Sequence, residues 1–562
     1  MQRVGWWAVA LTLVTLAVFG PALAGEYVAD DLELVRSSPT FAGIGYLWEA
    51  VRSPFWGFEL GYWRPLASGL LCVGHSLAGG EALGAHAIAL LVHLLAVAGA
   101  GFAARELTGD ARTALIVAAV FALHPAQVEP VAWASALGDP LAGAASLFAL
   151  WRWLVWRRGT RALPVGALAG LLLALLAKES GLAVVGLFVL AEWLAPGERR
   201  GAKGGVWVGV AAVVFLWLAL RVLVFGDFAA GFDRGRMELG FDLGQASSLR
   251  AILATRYLGV LVCPLALGPY RPMPADPSLL SGAGLLACVG LVVFAGLFVR
   301  AHRRGRGTVA LGFGVIAVAL APVVLLPASL GPWPVVDRYL YLAVFGLALA
   351  VGTWVRWPAW VVLAVLAVAA GRSALQVPAW RTHTKVVEGA LAQSPDHPLP
   401  HYMQAVLHQE AAASDRRRHA SARAEFLRAA ELMRLPHYAH RQLVLTIGPD
   451  IAIGGAYAAL FGALLPFAQV RTEFEAAARA FPEVARVAYA FGVCYAEGND
   501  FARAEVAFLR ADALDPHPNQ ALALAQLFAR AGRRADAIAW AETALARAPG
   551  YPPAVEFLRQ MR

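Results

Sequence analysis

The sequence predicts an all-α chain in two parts. A polytopic helical membrane domain of about eleven spans occupies residues 1–372, and an α-solenoid of paired helices occupies 373–562. Three observations lead there. The chain is 59% hydrophobic and 15% charged, with a mean hydropathy of +0.60, whereas soluble domains average about 45–50% and about 25%. Apolar runs of spanning length alternate with short basic loops as far as Arg372. Beyond it, charges of both signs recur at helical spacing and a repeat of 33–34 residues sets in.

The apolar runs fall near 4–24, 82–104, 112–124, 139–156, 162–177, 180–195, 205–225, 281–299, 308–328, 338–355 and 357–371. A further run at 251–268, broken at Cys263-Pro264, reads as re-entrant or as an additional segment. The first run reads as an uncleaved anchor, being longer than a usual signal core and containing Pro21, although Ala22-Leu-Ala24 has the form of a signal cleavage site.

The loops set the orientation. Arg105 and Arg112, then Arg157, Arg158 and Arg161, then Arg199, Arg200 and Lys203, and then Arg300, Arg303, Arg304 and Arg306 fall on one side if the N-terminus is cytoplasmic. The other side, outside the cytoplasm, receives Asp30, Asp31, Glu129, Asp139, Glu179, Asp227 and Asp337. An odd number of spans sends the tail there too. A multi-pass protein of a bacterial-type inner membrane is the expectation. The net charge of +9 is largely this loop arginine, so it does not point to nucleic acid.

The tail carries the repeat. Pro449, Pro482, Pro516 and Pro549 are spaced by 33, 34 and 33 residues, Gly498 and Gly532 by 34, and Ala504 and Ala537 by 33. The period and helix–turn–helix pattern are those of tetratricopeptide (TPR) repeats, whose stacked pairs form a groove suited to an extended peptide. The clearest copy begins at Ala488 and ends at Pro516. Bracing of the membrane domain is the alternative role.

Candidate chemistry gathers on the outer side. Asp30 and Asp31 follow the first run in Tyr27-Val-Ala-Asp-Asp-Leu-Glu33. Carboxylates at the mouth of a membrane protein are costly to desolvate, which makes the pair a site candidate; a solvated cap is the plainer reading. Adjacent side chains need not face the same way, so one can take a proton while the other orients a partner. His124 to Trp133, with Glu129 and then Asp139, forms a polar turn where Pro125 ends a helix. His124 reads as a site wall or a structural residue. Lys178 and Glu179 interrupt two apolar runs, and a buried Lys178 needs an anion, either Glu179 or a lipid phosphate. Arg64 in Trp63-Arg-Pro65 and Arg338 beside Tyr339 and Tyr341 read as phosphate binders or as interface anchors. The four cysteines are scattered and no Cys/His cluster exists, so no metal is predicted. No nucleotide-binding or serine-hydrolase motif is present, and no cofactor is implied.

Taken in order, Asp30-Asp31, Tyr62-Trp-Arg-Pro-Leu66, Leu123-His-Pro-Ala-Gln-Val-Glu-Pro-Val-Ala-Trp133 with Asp139, Leu176-Ala-Lys178, Asp337-Arg-Tyr-Leu-Tyr-Leu342 and the repeat tail resemble the transmembrane and tetratricopeptide-repeat O-mannosyltransferases and their bacterial relatives, within the GT-C glycosyltransferases. The resemblance implies transfer of a monosaccharide, mannose, from a polyprenyl-phosphate donor to a protein Ser/Thr hydroxyl outside the cytoplasm, with inversion. It implies Asp30, or its neighbour Asp31, as the base. Lys178, Arg338 and Arg64 would hold the donor phosphate, and the repeat groove would hold the protein acceptor. Leu137-Gly138 stand where bacterial relatives often carry Arg-Lys, and Asp337 where Glu is frequent. A GT-C transferase acting on lipid or envelope glycan, and a membrane-anchored repeat scaffold, are the other readings.

Overall fold

The computed structural model describes residues 2–41, 43–55, 61–159, 163–196, 204–227, 243–265, 267–268, 271, 278–325, 335–354, 356–434, 441–548 and 551–561. Among them it is all-α, in two compact units, Met1–Ser394 and Pro395–Arg562. Arg161, Arg199, Arg200, Lys203 and Pro549 lie outside the described residues.

Every apolar run is helical where described, but fewer than eleven helices are built to cross a bilayer. Among the described residues, six are long and apolar enough: Gly5–Ala24, Leu83–Thr108, Gly204–Phe225, Gly282–Arg303, Gly307–Leu325 and Ala359–Trp380. Ala111–Leu123 and Pro125–Ala132 add a seventh if the pair counts as one span bent by 55°. The chain is a multi-pass membrane protein.

The difference from eleven has a physical cause. Val165–Ala177, Ala183–Leu194 and Tyr341–Trp354 have 13, 12 and 14 residues. At 1.5 Å per residue they reach about 20 Å, short of the roughly 30 Å hydrocarbon core. Each adjoins a polar turn carrying site residues, tolerated because it lies against protein rather than lipid. Gly138–Arg158 is long enough but carries Asp139, Arg152, Arg157 and Arg158.

Lipid-facing surface is plain on the long helices. Phe215, Leu223, Val292, Trp360 and Val368 are all more than 70% exposed, a bare apolar surface that water would penalise. Two arginines expected as loop charges are instead engaged. Arg157 is buried, with its Nε 3.1 Å from Glu192 Oε1, and Arg158 pairs with Glu106 at 2.8 Å.

The first unit runs past the change in composition at Arg372. That arginine sits within the helix Ala359–Gln376 and donates to the Leu265 carbonyl at 2.9 Å. After it, Trp380 is buried and stacks on Trp133 with ring centroids 5.5 Å apart. The residues after 372 therefore complete the first core.

The second unit is a run of antiparallel helix pairs, clearest in Ala485–Glu497 with Phe501–Leu514 and in Pro518–Arg530 with Arg534–Arg547. Ala504 and Ala537, one repeat apart, are both fully buried. Gly492 permits the close approach within its pair: a Cβ there would lie 2.6 Å from the Phe508 ring. Pro482 and Pro516 fall between helices, as the repeat requires, whereas Pro449 lies inside the helix Arg441–Phe461.

Candidate active site

Asp30 and Asp31 sit in a tight turn after the first helix. Ala29 has φ +48°, an uncommon left-handed backbone for a residue with a Cβ. The chain then winds on, with Leu34 N donating to Asp30 O at 2.9 Å and Ser37 N to Leu32 O at 3.0 Å, a π-helical turn of the kind often found at functional sites.

This turn separates the two carboxylates. Asp31 is fully buried, and its oxygens are taken: Oδ2 accepts from Val28 N at 3.1 Å, and Oδ1 accepts from Ser135 N at 2.6 Å and from the Ser135 hydroxyl. Asp30 is solvent-accessible, and its side chain makes no hydrogen bond or ion pair among the described residues. Burial raises the Asp31 pKa to about 7, helped by the charge of Asp30 and opposed by the Ser135 and Val28 hydrogen bonds. The Asp30 pKa is also raised, by the protein crowded around its carboxyl; the Arg338 charge opposes that rise.

Other elements fasten the turn. Trp133 Nε1 donates to Val28 O at 3.2 Å, and Ala29 N donates to His383 Nδ1 at 3.1 Å. Trp133 also carries Arg338, whose guanidinium carbon lies 4.8 Å from its ring centre. Arg338 Nη1 bonds Glu129 Oε1 at 2.6 Å, while Glu129 Oε2 accepts from Asp337 N at 2.9 Å. One carboxylate thus fixes both the backbone and the cation of the Asp337–Leu340 turn.

Lys178 is buried, with its Nζ 2.6 Å from both oxygens of Asp139 and 4.9 Å from the Tyr339 ring centre. Of the anions expected for it, Glu179 is not the partner. Lys178 is fully extended (φ −164°, ψ 150°), which turns neighbouring side chains to opposite faces. Glu179 instead accepts from Arg64 Nε at 3.0 Å. Arg64 in turn lies over Tyr62, 4.5 Å from its ring centre. Two glycines allow this folding. A Cβ on Gly181 would lie 2.3 Å from the Ala174 carbonyl carbon, and one on Gly138 would lie 3.2 Å from Ala177 O. A side chain at position 138 would therefore press on the Ala177 carbonyl, just before Lys178.

Burial lowers the Lys178 pKa to about 8; Asp139 opposes the fall, and the charges of Arg64 and Arg338 add to it. Three cations, from sequence positions 64, 178 and 338, thus lie within electrostatic reach of one another. Lys178 has three N–H groups and gives two oxygens of Asp139 a partner, and a guanidinium has five. The cluster retains donors for an added anion.

His124 belongs to the frame. Its Nδ1 accepts from Ala126 N at 3.2 Å and its Nε2 donates to Leu261 O at 3.0 Å, so both ring nitrogens hold the bent turn. Sequence reasoning missed Ser135, Arg221 and Arg271. Arg221 Nη1 lies 3.8 Å from Glu179 Oε1, and Arg271 pairs with Asp337 at 2.7 Å. Arg221 had a legible signal, a lone arginine in an otherwise apolar run. Ser135 had none. No group of three His, Cys, Asp or Glu side chains is placed to hold a metal among the described residues.

No protein-family model matches this chain. A mouse protein named protein O-mannosyl-transferase TMTC4 is 24% identical over 477 residues, covering 71% of this chain and 63% of that protein. A Drosophila melanogaster protein named protein O-mannosyl-transferase Tmtc1 is 28% identical over 190 residues, covering 32% of this chain and 22% of that protein. The matches thus span less than two thirds of either relative. Among solved structures, a chain of the APC/C hetero-tetramer Cut9-Hcn1 aligns with 84% of this chain and 89% of its own length, at 14% identity and a TM-score of 0.25. The resemblance read from the ordered motifs is borne out by relatives that carry the name.

Proposed function

We propose that this chain is a membrane glycosyltransferase that moves mannose from a polyprenyl-phosphate donor to a Ser/Thr hydroxyl of a protein, on the extracytoplasmic face. The observation that carries the reading is the division of labour at the aspartate pair: Asp31 is consumed by Ser135 and Val28, and Asp30 is left open beside Arg338. The names of the mouse and fly relatives support the sugar and the acceptor class.

In this reading Asp30 takes the proton from the acceptor hydroxyl as its oxygen bonds to the sugar C1. The C1–O bond to phosphate breaks in the same displacement, and its electron pair leaves with the polyprenyl phosphate. One displacement inverts the anomeric centre. Lys178, Arg338 and Arg64 hold the phosphate and offset the charge that grows on it. Their carboxylate partners Asp139, Glu129 and Glu179 fix where each cation points, and His124 holds the turn that carries Glu129. Because the donor is already activated in the lipid, no nucleotide site is needed. The repeat unit holds the extended acceptor segment.

The test is transfer from polyprenyl-phosphate mannose to a Ser/Thr peptide in membranes holding the parent or Asp30→Asn. Transfer by the parent, reduced by about 10²–10⁴ in the variant, is expected. Equal rates would overturn the assignment of Asp30.

A further inference from the structure

A cavity of about 320 Å³ opens beside the aspartate turn, walled by Glu33, Ser38, Thr40, Phe41, Ser53 and Phe55. None of these residues enters the chemistry proposed above. The wall has an unusual make-up. Phe41 and Phe55 are buried and supply aromatic surface, the three hydroxyl residues are partly exposed, and Glu33 is exposed. The Glu33 carboxylate has no ion-pair partner among the described residues. Arg64, whose guanidinium lies 5.2 Å from the Phe55 ring centre, is already committed to Glu179, and Arg52, beside Ser53, to Glu49.

Glu33 stands one helical step from Asp30. Leu34 N closes a turn onto Asp30 O, which keeps Glu33 within the same turn of chain as Asp30. The charge of Glu33 also reaches the Asp30 carboxyl. An extended peptide advances about 3.3–3.6 Å per residue. A residue one or two positions from a hydroxyl at Asp30 therefore comes level with the cavity.

We propose that this cavity is a specificity subsite for the acceptor: it takes a Lys or Arg side chain lying within about two positions of the Ser/Thr that receives the sugar. The aromatic walls cover the aliphatic stem, and Glu33 accepts from the cationic head. The proposal rests on the reading of the chain as a protein glycosyltransferase and adds the sequence preference of its acceptor.

Peptide binding without transfer tests it. Peptides in which Ala replaces the hydroxyl residue, carrying either Lys or Gln at each of the four flanking positions, are titrated by fluorescence anisotropy against the full chain in nanodiscs without donor. At one position the Lys peptide should bind on the order of tenfold more tightly. Glu33→Gln should erase that preference and Glu33→Lys should reverse it. Thr40→Trp, which fills the cavity without touching charge, should weaken the Lys peptide while leaving the thermal midpoint near that of the parent. No preference in the parent, or one that survives Glu33→Lys and Thr40→Trp, overturns the subsite. Because the titration uses neither donor nor acceptor hydroxyl, a Lys preference in a chain that transfers no sugar would sink the enzymatic reading and leave the subsite standing.

Discussion

Ser135 closes on Asp31 from 104 residues away, its backbone N–H donating to Oδ1 at 2.6 Å and its hydroxyl donating to the same oxygen. This contact makes two adjacent, chemically identical side chains unequal. Asp31 becomes the fastening of the turn, and Asp30 is left open, the carboxylate proposed to meet a substrate.

The inequality predicts opposite signatures for two conservative changes. Asp30→Asn should keep the parental thermal midpoint and lose about 10²–10⁴ of transfer. Asp31→Asn should lose stability, because an amide nitrogen cannot accept from Val28 N; hydrogen bonds to charged groups contribute about 1.5–3 kcal/mol. Thermal melts and transfer rates measured on both variants decide. The same melting loss in both, or the same rate loss in both, would contradict the division.

Lys178 and Asp139 form a buried pair, and breaking such a pair from one side costs about 3–5 kcal/mol. Lys178→Ala alone is therefore expected to lower stability and donor use together. Lys178→Met with Asp139→Leu should restore much of the melting temperature, because neither charge is left stranded, while use of the lipid donor stays impaired. A double variant with parental donor KM would leave the pair a purely structural brace.

The site should titrate from both sides. Lys178, with its pKa lowered to about 8, is a cation below that value and loses its charge as pH rises through it. Donor affinity should fall above about pH 8. On the acid side Asp30 must be ionised to accept a proton, and its raised pKa moves that limb above the ordinary carboxylate range. A profile of kcat/KM against pH checks both limbs. Lys178→Arg should remove the alkaline limb alone, since a guanidinium stays charged.

We propose the sidedness from the arginine loops: with a cytoplasmic N-terminus, an odd number of spans puts the tail outside. Alkaline phosphatase fused after the last residue should be active, and a reporter that works only in the cytoplasm should be silent. The reverse pattern would put the repeat unit in the cytoplasm and overturn the proposed sidedness of the tail.

Much of this site was legible because membrane interiors make charge conspicuous. Asp30, Asp31, Lys178 and Arg338 stand out against the apolar runs in the sequence itself. Pairing was not legible, since it depends on backbone direction. An extended Lys178 sends its ammonium away from Glu179 and toward Asp139, a choice the neighbouring letters cannot reveal. The eleven runs and the six or seven long apolar helices differ for a related reason. Hydropathy treats each apolar run alike, but Val165–Ala177 and Ala183–Leu194 give up length to the polar turn between them. Ser135 was invisible because nothing in a serine announces which distant carboxylate it will meet.

The bond from Ala29 N to His383 crosses 354 positions of sequence. A ribosome delivers Asp30 long before His383, which follows every membrane helix of the first unit, so this fastening comes after those from Trp133 and Ser135 are already possible. Trp380, which stacks on Trp133, arrives equally late. The carboxylate proposed as the base thus reaches its finished geometry only once the whole membrane unit has been made, and a chain released early would carry the aspartates with the turn half fastened.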